Sequence, residues 1–299
     1  MLYVVATPIG NLDDISMRAL KTLENAELIA AEDTRHTLGL LEHFGIKKPL
    51  VSYFEHNKLS RGPELIAKLK EGADIALVSD AGMPGICDPG YELIRDCIDA
   101  GIEVTVIPGP CACVTALVLS GLPTDVFVFE GFIGTENKQR KAFFDRLGRE
   151  RRTTICYEAP HRMQKTLSEI EALFGDAGTP DRRISVCREL TKTHEEVLRG
   201  TASELKDHFG ENAPRGEFVL CIEGSDKAPG SADVKGNASE ITGASAGCSG
   251  LASENEMRAY YYELTNSGSL PKEAMKALQN RFGITRNEAY RIVKLPEKL

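Results

Sequence analysis

Three short loops rich in proline and glycine each follow an apolar run: Ala6-Thr7-Pro8-Ile9-Gly10-Asn11, Ser79-Asp80-Ala81-Gly82-Met83-Pro84-Gly85, and Pro108-Gly109-Pro110. Proline stiffens such a loop, and glycine lets backbone approach a ligand closely. Gly82 is placed for that approach. Loops of this kind suit a small molecule held by backbone groups and apolar walls, with Asp80 for one polar group. An adenosine carrying a cationic centre would fit. Neither G-x-G-x-x-G nor G-x-x-x-x-G-K-[ST] is present, so a dinucleotide or nucleoside triphosphate is not indicated. Four runs of ionisable residues stand at the ends of other apolar stretches: Glu32-Asp33-Thr34-Arg35-His36, Glu55-His56-Asn57, Tyr157-Glu158-Ala159-Pro160-His161-Arg162 and Arg188-Glu189-Leu190-Thr191-Lys192. One alone reads as a helix cap or surface ion pair. Four at equivalent positions suggest a cleft between two halves.

Elements that would position these groups follow from the apolar pattern. Strands are expected at 2–7, 28–32, 50–53, 75–80 and 104–108, with helices at 16–24, 34–44, 58–70, 91–99 and 110–119. This alternation implies a mainly parallel sheet covered on both faces. Gly121-Leu122-Pro123-Thr124 marks a break. A second α/β block has strands at 126–132, 154–159, 184–190 and 218–223, and helices at 138–147, 163–174 and 202–209. Thr201-Ala202-Ser203-Glu204 reads as a capping box. Expected boundaries are therefore 1–121 and 122–224 for two α/β domains. A flexible, Ser- and Gly-rich linker follows at 225–253, then a small helical unit at 254–299. In that unit Ser253 and Thr285 read as caps. The turn at Gly283-Ile284 gives helix–turn–helix spacing, with Arg286, Asn287, Arg291 and Lys294 on the last helix.

Composition narrows the partners. The 299 residues carry a net charge of −8 and 42% hydrophobic residues, with no tryptophan. An acidic protein does not coat nucleic acid indiscriminately. Residues 138–152, however, hold seven basic and two acidic side chains, and residues 256–299 hold eight and five. Local basic patches on an acidic body suit one defined docking site on a polyanion. No apolar run approaches a membrane span, and the apolar start lacks a basic leader. The eight cysteines include no C-x-x-C pair and the six histidines no H-x-x-x-H spacing. A metal site is not expected, and reduced thiols in a cytoplasmic protein are.

In combination, these motifs resemble the ribosomal-RNA-methylating branch of the tetrapyrrole methylase superfamily. The opening Pro8-Ile9-Gly10-Asn11, Glu32-Asp33-Thr34-Arg35, Glu55-His56-Asn57, Ser79-Asp80-Ala81-Gly82, Ser120-Gly121-Leu122, Tyr157 to Arg162 and Arg188 to Lys192 carry the likeness over roughly residues 1–224. The resemblance implies an α/β fold of two tetrapyrrole-methylase-type domains with a cleft between them, commonly in a homodimer. It also implies S-adenosylmethionine as cofactor. Its contacts map onto Pro8, Val78, Ser79, Asp80, Cys111, Ala112, Tyr157 and Cys187. Met83 stands where that branch usually has Thr, Cys111 where it has Ser, and Gly134 where it has Pro.

The implied reaction is 2′-O-ribose methylation of a cytidine in 16S ribosomal RNA, within the small ribosomal subunit. A base near the 2′-hydroxyl would help, and Glu32, Asp33, His56 and Glu158 are the candidates. Arg35, Arg162, Arg188 and Lys192 suit phosphates of the RNA backbone, as do Arg286 and Arg291 in the tail. An alternative is a tetrapyrrole C-methyltransferase with the same cofactor. The basic segment and the helical tail count against it. A non-catalytic DNA-binding regulator fits the tail but leaves more than two hundred residues of α/β cleft without a purpose.

Overall fold

The computed structural model describes residues 1–225 and, beyond them, 257, 260–262, 264–265, 270–282, 289–290 and 292–293. Residues 1–225 belong to one compact unit and the later ones to a second.

The first unit holds two five-stranded sheets. In the first, β1 (Leu2–Val5), β2 (Leu28–Ala31), β3 (Leu50–Ser52), β4 (Ile75–Val78) and β5 (Val104–Ile107) are all parallel, in the order β3-β2-β4-β1-β5. Helices α1 (Met17–Asn25) and α2 (Thr34–His43) cover one face; α3 (Lys58–Lys70) and α4 (Tyr91–Asp99) cover the other. Strand β4 is buried throughout because it has a helical layer on each side. Ala76 and Val78 join the core with Leu23 and Leu41, whereas Ile75 and Leu77 pack with Leu65 and Leu93. The chain leaves β1 towards β2 and leaves β4 towards β5. These adjacent strands therefore send their connections in opposite directions, and a crevice opens at their carboxyl ends.

The second sheet runs β6-β7-β10-β8-β9, from β6 (Phe127–Phe132), β7 (Thr153–Glu158), β8 (Ile184–Arg188), β9 (Glu196–Gly200) and β10 (Phe218–Ile222). Only β6 and β7 are parallel; the other pairs are antiparallel. Strand β9 lies in what reads by sequence as a polar run. It is a half-exposed edge strand with Glu196 and Arg199 in it, so its apolar signal is weak. Helices α6 (Asn137–Leu147), α7 (Met163–Asp176) and α8 (Ala202–Glu211) pack on one face, with Leu167 and Phe174 against Leu220 and Ile222. Thr201 closes the expected capping box with Glu204.

The other face is covered by α5 (Ala112–Ser120), whose Cys113, Ala116 and Leu117 pack against Ile155, Cys187, Val219 and Cys221. Helix α5 thus precedes the expected break at 121 but serves the second sheet. That explains its nearly uniform apolar sequence, Ala-Cys-Val-Thr-Ala-Leu-Val-Leu-Ser.

In the carboxyl-terminal unit a helix spans Pro271–Phe282, and its Ala274 and Leu278 are buried with Tyr261 and Ala289. The expected caps at Ser253 and Thr285, the turn at Gly283-Ile284, Arg286, Asn287, Arg291 and Lys294 lie outside the described residues, as does the linker from 226 on. No helix among the described residues is long and apolar enough to cross a membrane.

Candidate active site

A cavity of about 370 Å³ opens between the two sheets. From the first half Ile9, Gly82, Met83, Asp88, Cys111 and Ala112 reach it. From the second come Phe132, Tyr157, Ala159, Pro160, Leu190 and Val219. The wall is mostly apolar with a few polar groups, the usual make-up of a small-molecule site.

Backbone pairing sets the loops of the first half. Thr7 N–H donates to Gly82 O at 2.9 Å and Gly82 N–H returns to Thr7 O at 3.1 Å, tying the loops after β1 and β4 together. Gly82 has φ +85°, a conformation that costs an L side chain strain. A Cβ on Gly109 would stand 2.9 Å from the Cβ of Ala6, so the third loop lies directly on the first strand's exit. Cys87, not a glycine, takes φ +62° next to Asp88. Such strain persists only where the surroundings enforce it, and it concentrates at functional sites.

Side chains organise the opposite wall. The Glu158 side chain is fully buried. Its Oε1 accepts from Ala159 N–H at 2.8 Å and faces Arg162 Nη2 at 2.7 Å. Its Oε2 accepts from Thr166 Oγ1 at 2.5 Å and lies 3.5 Å from Arg140 Nη1. Arg140 also pairs with Glu169 at 2.5 Å. Further along, Lys192 Nζ donates to Glu189 and Glu217, each at 3.0 Å. Arg188 donates to Arg215 O and to Glu196, each at 2.9 Å.

Of the sequence-derived cofactor candidates, Gly82, Cys111, Ala112 and Tyr157 stand on the cavity wall. Pro8, Val78, Ser79 and Cys187 are buried, and neither they nor Asp80 lie on the wall. Cys187 is sealed in the core under α5, with its Sγ 3.9 Å from Ala116 O. Asp80 instead accepts from Asp33 N–H at 3.0 Å.

The four candidate bases separate sharply. Asp33 caps α2 by accepting from Arg35 N–H at 2.8 Å; the Arg35 guanidinium and that backbone bond hold its carboxyl far below the usual range. A carboxylate of such low basicity is a poor proton acceptor, which corrects its placement among the bases. Glu158 is likewise corrected: four donors surround its carboxylate, which makes it a brace. His56 is exposed at the β3–α3 connection, away from the cavity. Glu32 is half-buried and raised by burial and by the charges of Asp80 and Asp33, but it is not on the wall either.

The RNA-contact candidates differ too. Arg35 is 89% exposed, while Arg162, Arg188 and Lys192 are engaged as described. In the basic stretch 138–152, Arg140 is buried, Arg146 pairs with Glu130 and Arg152 with Glu150. Lys138, Lys141, Arg149 and Arg151 are exposed. The stretch is thus a mixed helix-and-turn surface rather than a continuous basic face.

One group on the wall, Asp88, emerges only in three dimensions, and Cys111, named from the sequence, gains a property there. Asp88 is pushed up to about 6 by burial and by the nearby Glu32 and Asp80 carboxylates, against a lowering contact from the Ser79 hydroxyl. The Cys111 Sγ lies 3.4 Å from that of Cys113 at the start of α5. The Cys113 thiol and the backbone N–H groups of Val114 and Cys113 bring Cys111 down to about 6.

Two α/β halves that meet over a strand-end cavity define a two-lobed, small-molecule-binding α/β protein. Within that class, the family described as Tetrapyrrole (Corrin/Porphyrin) Methylases matches residues 1–206. The chain belongs to this family. It is 53% identical over 225 residues to "Ribosomal RNA small subunit methyltransferase I" of Synechocystis sp., covering 75% of this chain and 79% of that one. The protein of the same name from Thermotoga maritima is 45% identical over 75% of this chain and 99% of its own length, so about a quarter of this chain has no counterpart there. Among solved structures, uroporphyrin-III-C-methyltransferase from Thermus thermophilus matches with a TM-score of 0.52 at 22% identity, over 74% of this chain and 93% of that one. Diphthine synthase matches with a TM-score of 0.53 at 16% identity, over 74% and 89%. At these identities the structures speak for the fold alone.

Proposed function

We propose that this protein is an S-adenosylmethionine-dependent methyltransferase of small-subunit ribosomal RNA, and that the acceptor is the ribose 2′-hydroxyl of a cytidine in 16S RNA. The observation that carries the reading is the shared cavity in a chain 53% identical to a protein named for small-subunit RNA methylation. The cofactor fits the residues present. The volume suits a nucleoside joined to an amino acid, Gly82 lets backbone lie close to it, and the Asp88 carboxylate suits a cationic neighbour. When bound, it supplies a methyl group on a positively charged sulfur. Ile9, Met83, Leu190 and Val219 would exclude water, which favours loss of that charge as the methyl moves. The tied loops after β1 and β4 would fix the donor, and placement of the two reactants would supply much of the rate.

The same reading makes the small ribosomal subunit the partner, the cytoplasm the location and a homodimer the working form. Exposed apolar side chains on α5 (Val114 and Val118) and on the edge strand β6 (Phe127) are consistent with a second copy. It also gives Arg35, Arg162, Arg188, Lys192, Arg286 and Arg291 to RNA phosphates.

Incubation with methyl-labelled S-adenosylmethionine and small subunits, followed by digestion to nucleosides and mass spectrometry, tests the reading. Label in 2′-O-methylcytidine is expected. Label on a base, or transfer to a porphyrinogen in place of RNA, would overturn it. Deleting everything after Ser225 should leave cofactor affinity unchanged. It should also weaken subunit binding and flatten its salt dependence, since fewer phosphates are neutralised.

A further inference from the structure

We propose that Cys111 and Cys113 are a peroxide-reactive pair, in which Cys111 is oxidised first and Cys113 closes it into a disulfide that shuts the cavity to the cofactor. The closure rests on the methyltransferase reading above; the pairing of the two sulfurs does not.

Position makes Cys111 the attacking group. It is half-buried on the cavity wall, within reach of a small solute. Cys113 lies behind it, buried with Ala116, Leu117 and Ile155. The two sulfurs are 3.4 Å apart. The backbone between them is held. Pro110 stiffens the chain before Cys111, and the Cys111 carbonyl accepts from Thr115 N–H at 3.0 Å and from Thr115 Oγ1 at 2.9 Å. The sulfurs therefore meet by turning side chains, with α5 intact.

The surroundings ready one sulfur and not the others. Cys111 caps the amino end of α5, where free N–H groups and the helix dipole favour a thiolate. With the Cys113 thiol donating to it, Cys111 comes down to about 6. Cys87, the other thiol on the wall, is pushed up by burial and by Asp88. Burial also raises Cys97, Cys156, Cys187 and Cys221, and Cys113 is raised by Cys111 and by burial. A lowered, accessible thiol beside a second thiol is the arrangement found in redox-responsive cysteines.

The chemistry balances with a hydroperoxide as oxidant. The Cys111 thiolate attacks a peroxide oxygen; an S–O bond forms and the O–O bond breaks. The departing oxygen takes a proton and leaves as an alcohol or water. Sulfur is oxidised to a sulfenic acid and the peroxide is reduced. The Cys113 sulfur then attacks the Cys111 sulfur. An S–S bond forms, the S–O bond breaks, and the leaving hydroxide carries off the Cys113 proton as water. The new bond closes a small ring across Cys111 and Ala112, both on the wall, so the peptide between them must turn. That reshapes the surface the cofactor would meet. A strained disulfide is readily reduced, so thiols would restore the site.

Hydrogen peroxide added to the reduced, cofactor-free protein tests the pairing. After denaturation in N-ethylmaleimide, trypsin yields one peptide, residues 96–138, that holds Cys97, Cys111 and Cys113. It should carry a single blocking group, on Cys97, with a disulfide between the other two. Dithiothreitol should make all three blockable. Dimedone should label Cys111 in Cys113→Ser and leave the wild type unlabelled. Calorimetry should show S-adenosylmethionine affinity about tenfold lower, or more, in the oxidised protein, and dithiothreitol should restore it. Oxidation of Cys111 no faster than that of Cys97 would overturn the proposal. So would a bond from Cys111 to Cys87, or a lasting sulfenic acid in the wild type. A Cys111–Cys113 disulfide with unchanged cofactor affinity would overturn the closure. A reduced protein that binds no S-adenosylmethionine removes the functional reading itself, and that failure shows in the calorimetry while the peptide masses still report the pairing.

Discussion

In the first half of the body the loops behind the cavity wall are held by backbone: Gly82 at φ +85° on the wall, and, beneath it, Gly109 against Ala6 and the Thr7–Gly82 bridge. In the second half, buried charge braces the wall, with Glu158 held by Arg140, Arg162 and Thr166, and Glu189 and Glu217 by Lys192. The two sheets differ in the same way. Parallel strands deliver loops to one edge, where glycine and proline can shape them, whereas the mixed sheet brings distant charged residues into register. The lesson is that the halves should fail differently. Both are sensitive to an added Cβ, as Gly216 beside Glu189 shows in the second, but the second is sensitive also to a lost buried charge.

The largest expected effect is on the charged side. Arg140→Met leaves the Glu158 carboxylate buried with one partner fewer, and breaking a buried pair costs about 3–5 kcal/mol. Urea unfolding measures it; a cost below about 1 kcal/mol, the value of a surface pair, would dissolve the contrast. On the backbone side, Gly82→Val forces a branched side chain into φ +85°, with its Cβ 3.3 Å from Ile9 Cγ2. Calorimetry should show S-adenosylmethionine affinity down at least tenfold, about 1.4 kcal/mol, in a protein that still folds. Unchanged affinity would take this loop off the site.

Cys111 sharpens the comparison, since it is a reactive side chain on the backbone-built wall. With its thiol near 6, it should be alkylated by iodoacetamide at pH 7 faster than the buried Cys97, Cys156 or Cys221. Saturating cofactor should block the reaction, as peptide mass mapping would show. Equal rates with and without cofactor would place Cys111 outside the occupied volume.

The smallest effect is on stability against pH. Asp88 is raised in the folded state, so the folded protein binds its proton more tightly than the unfolded chain does. Its contribution is complete below about pH 4 and is lost as pH rises to about 6. Asp88→Asn should therefore melt higher than wild type above pH 6, by roughly 2–4 °C per kcal/mol recovered. An equal or lower melting temperature there would mean that an unseen cation compensates Asp88.

Much of this was legible in the chain. Helices 58–70 and 91–99 end where the apolar period ends, and the loop after Val78, singled out for its Gly and Pro, reaches the cavity wall at Gly82 and Met83. Those are local signals. What escaped depends on long-range partners. Arg140 reads as one more solvated charge in a basic run until Glu158, eighteen residues on, is folded against it. Strand β9 hides its pairing with β8 behind charged residues. Asp88 sits in an Asp-Pro-Gly turn that reads as punctuation; only the approach of Glu32 and Asp80 from other strands sets it apart. Glu158, named from its motif, was found in the right place but with its oxygens already occupied.

Strand β10 pairs on one side with β7 and on the other with β8, in the middle of its sheet, yet it is the last strand of the body. A chain made from its amino end has every strand of the parallel sheet once Ile107 has emerged. The second sheet cannot close until residue 222 is available, because without β10 its strands form two separate pairs, each with an unpaired edge. Synthesis therefore holds the β6–β7 pair open from Glu158, and the β8–β9 pair from Gly200, until Ile222 has emerged. Helix α5, emerging long before its partners Val219 and Cys221, waits with an apolar face uncovered. A product cut short before β10 is thus expected to aggregate, while a stop just after Ser225 releases a body that is already whole.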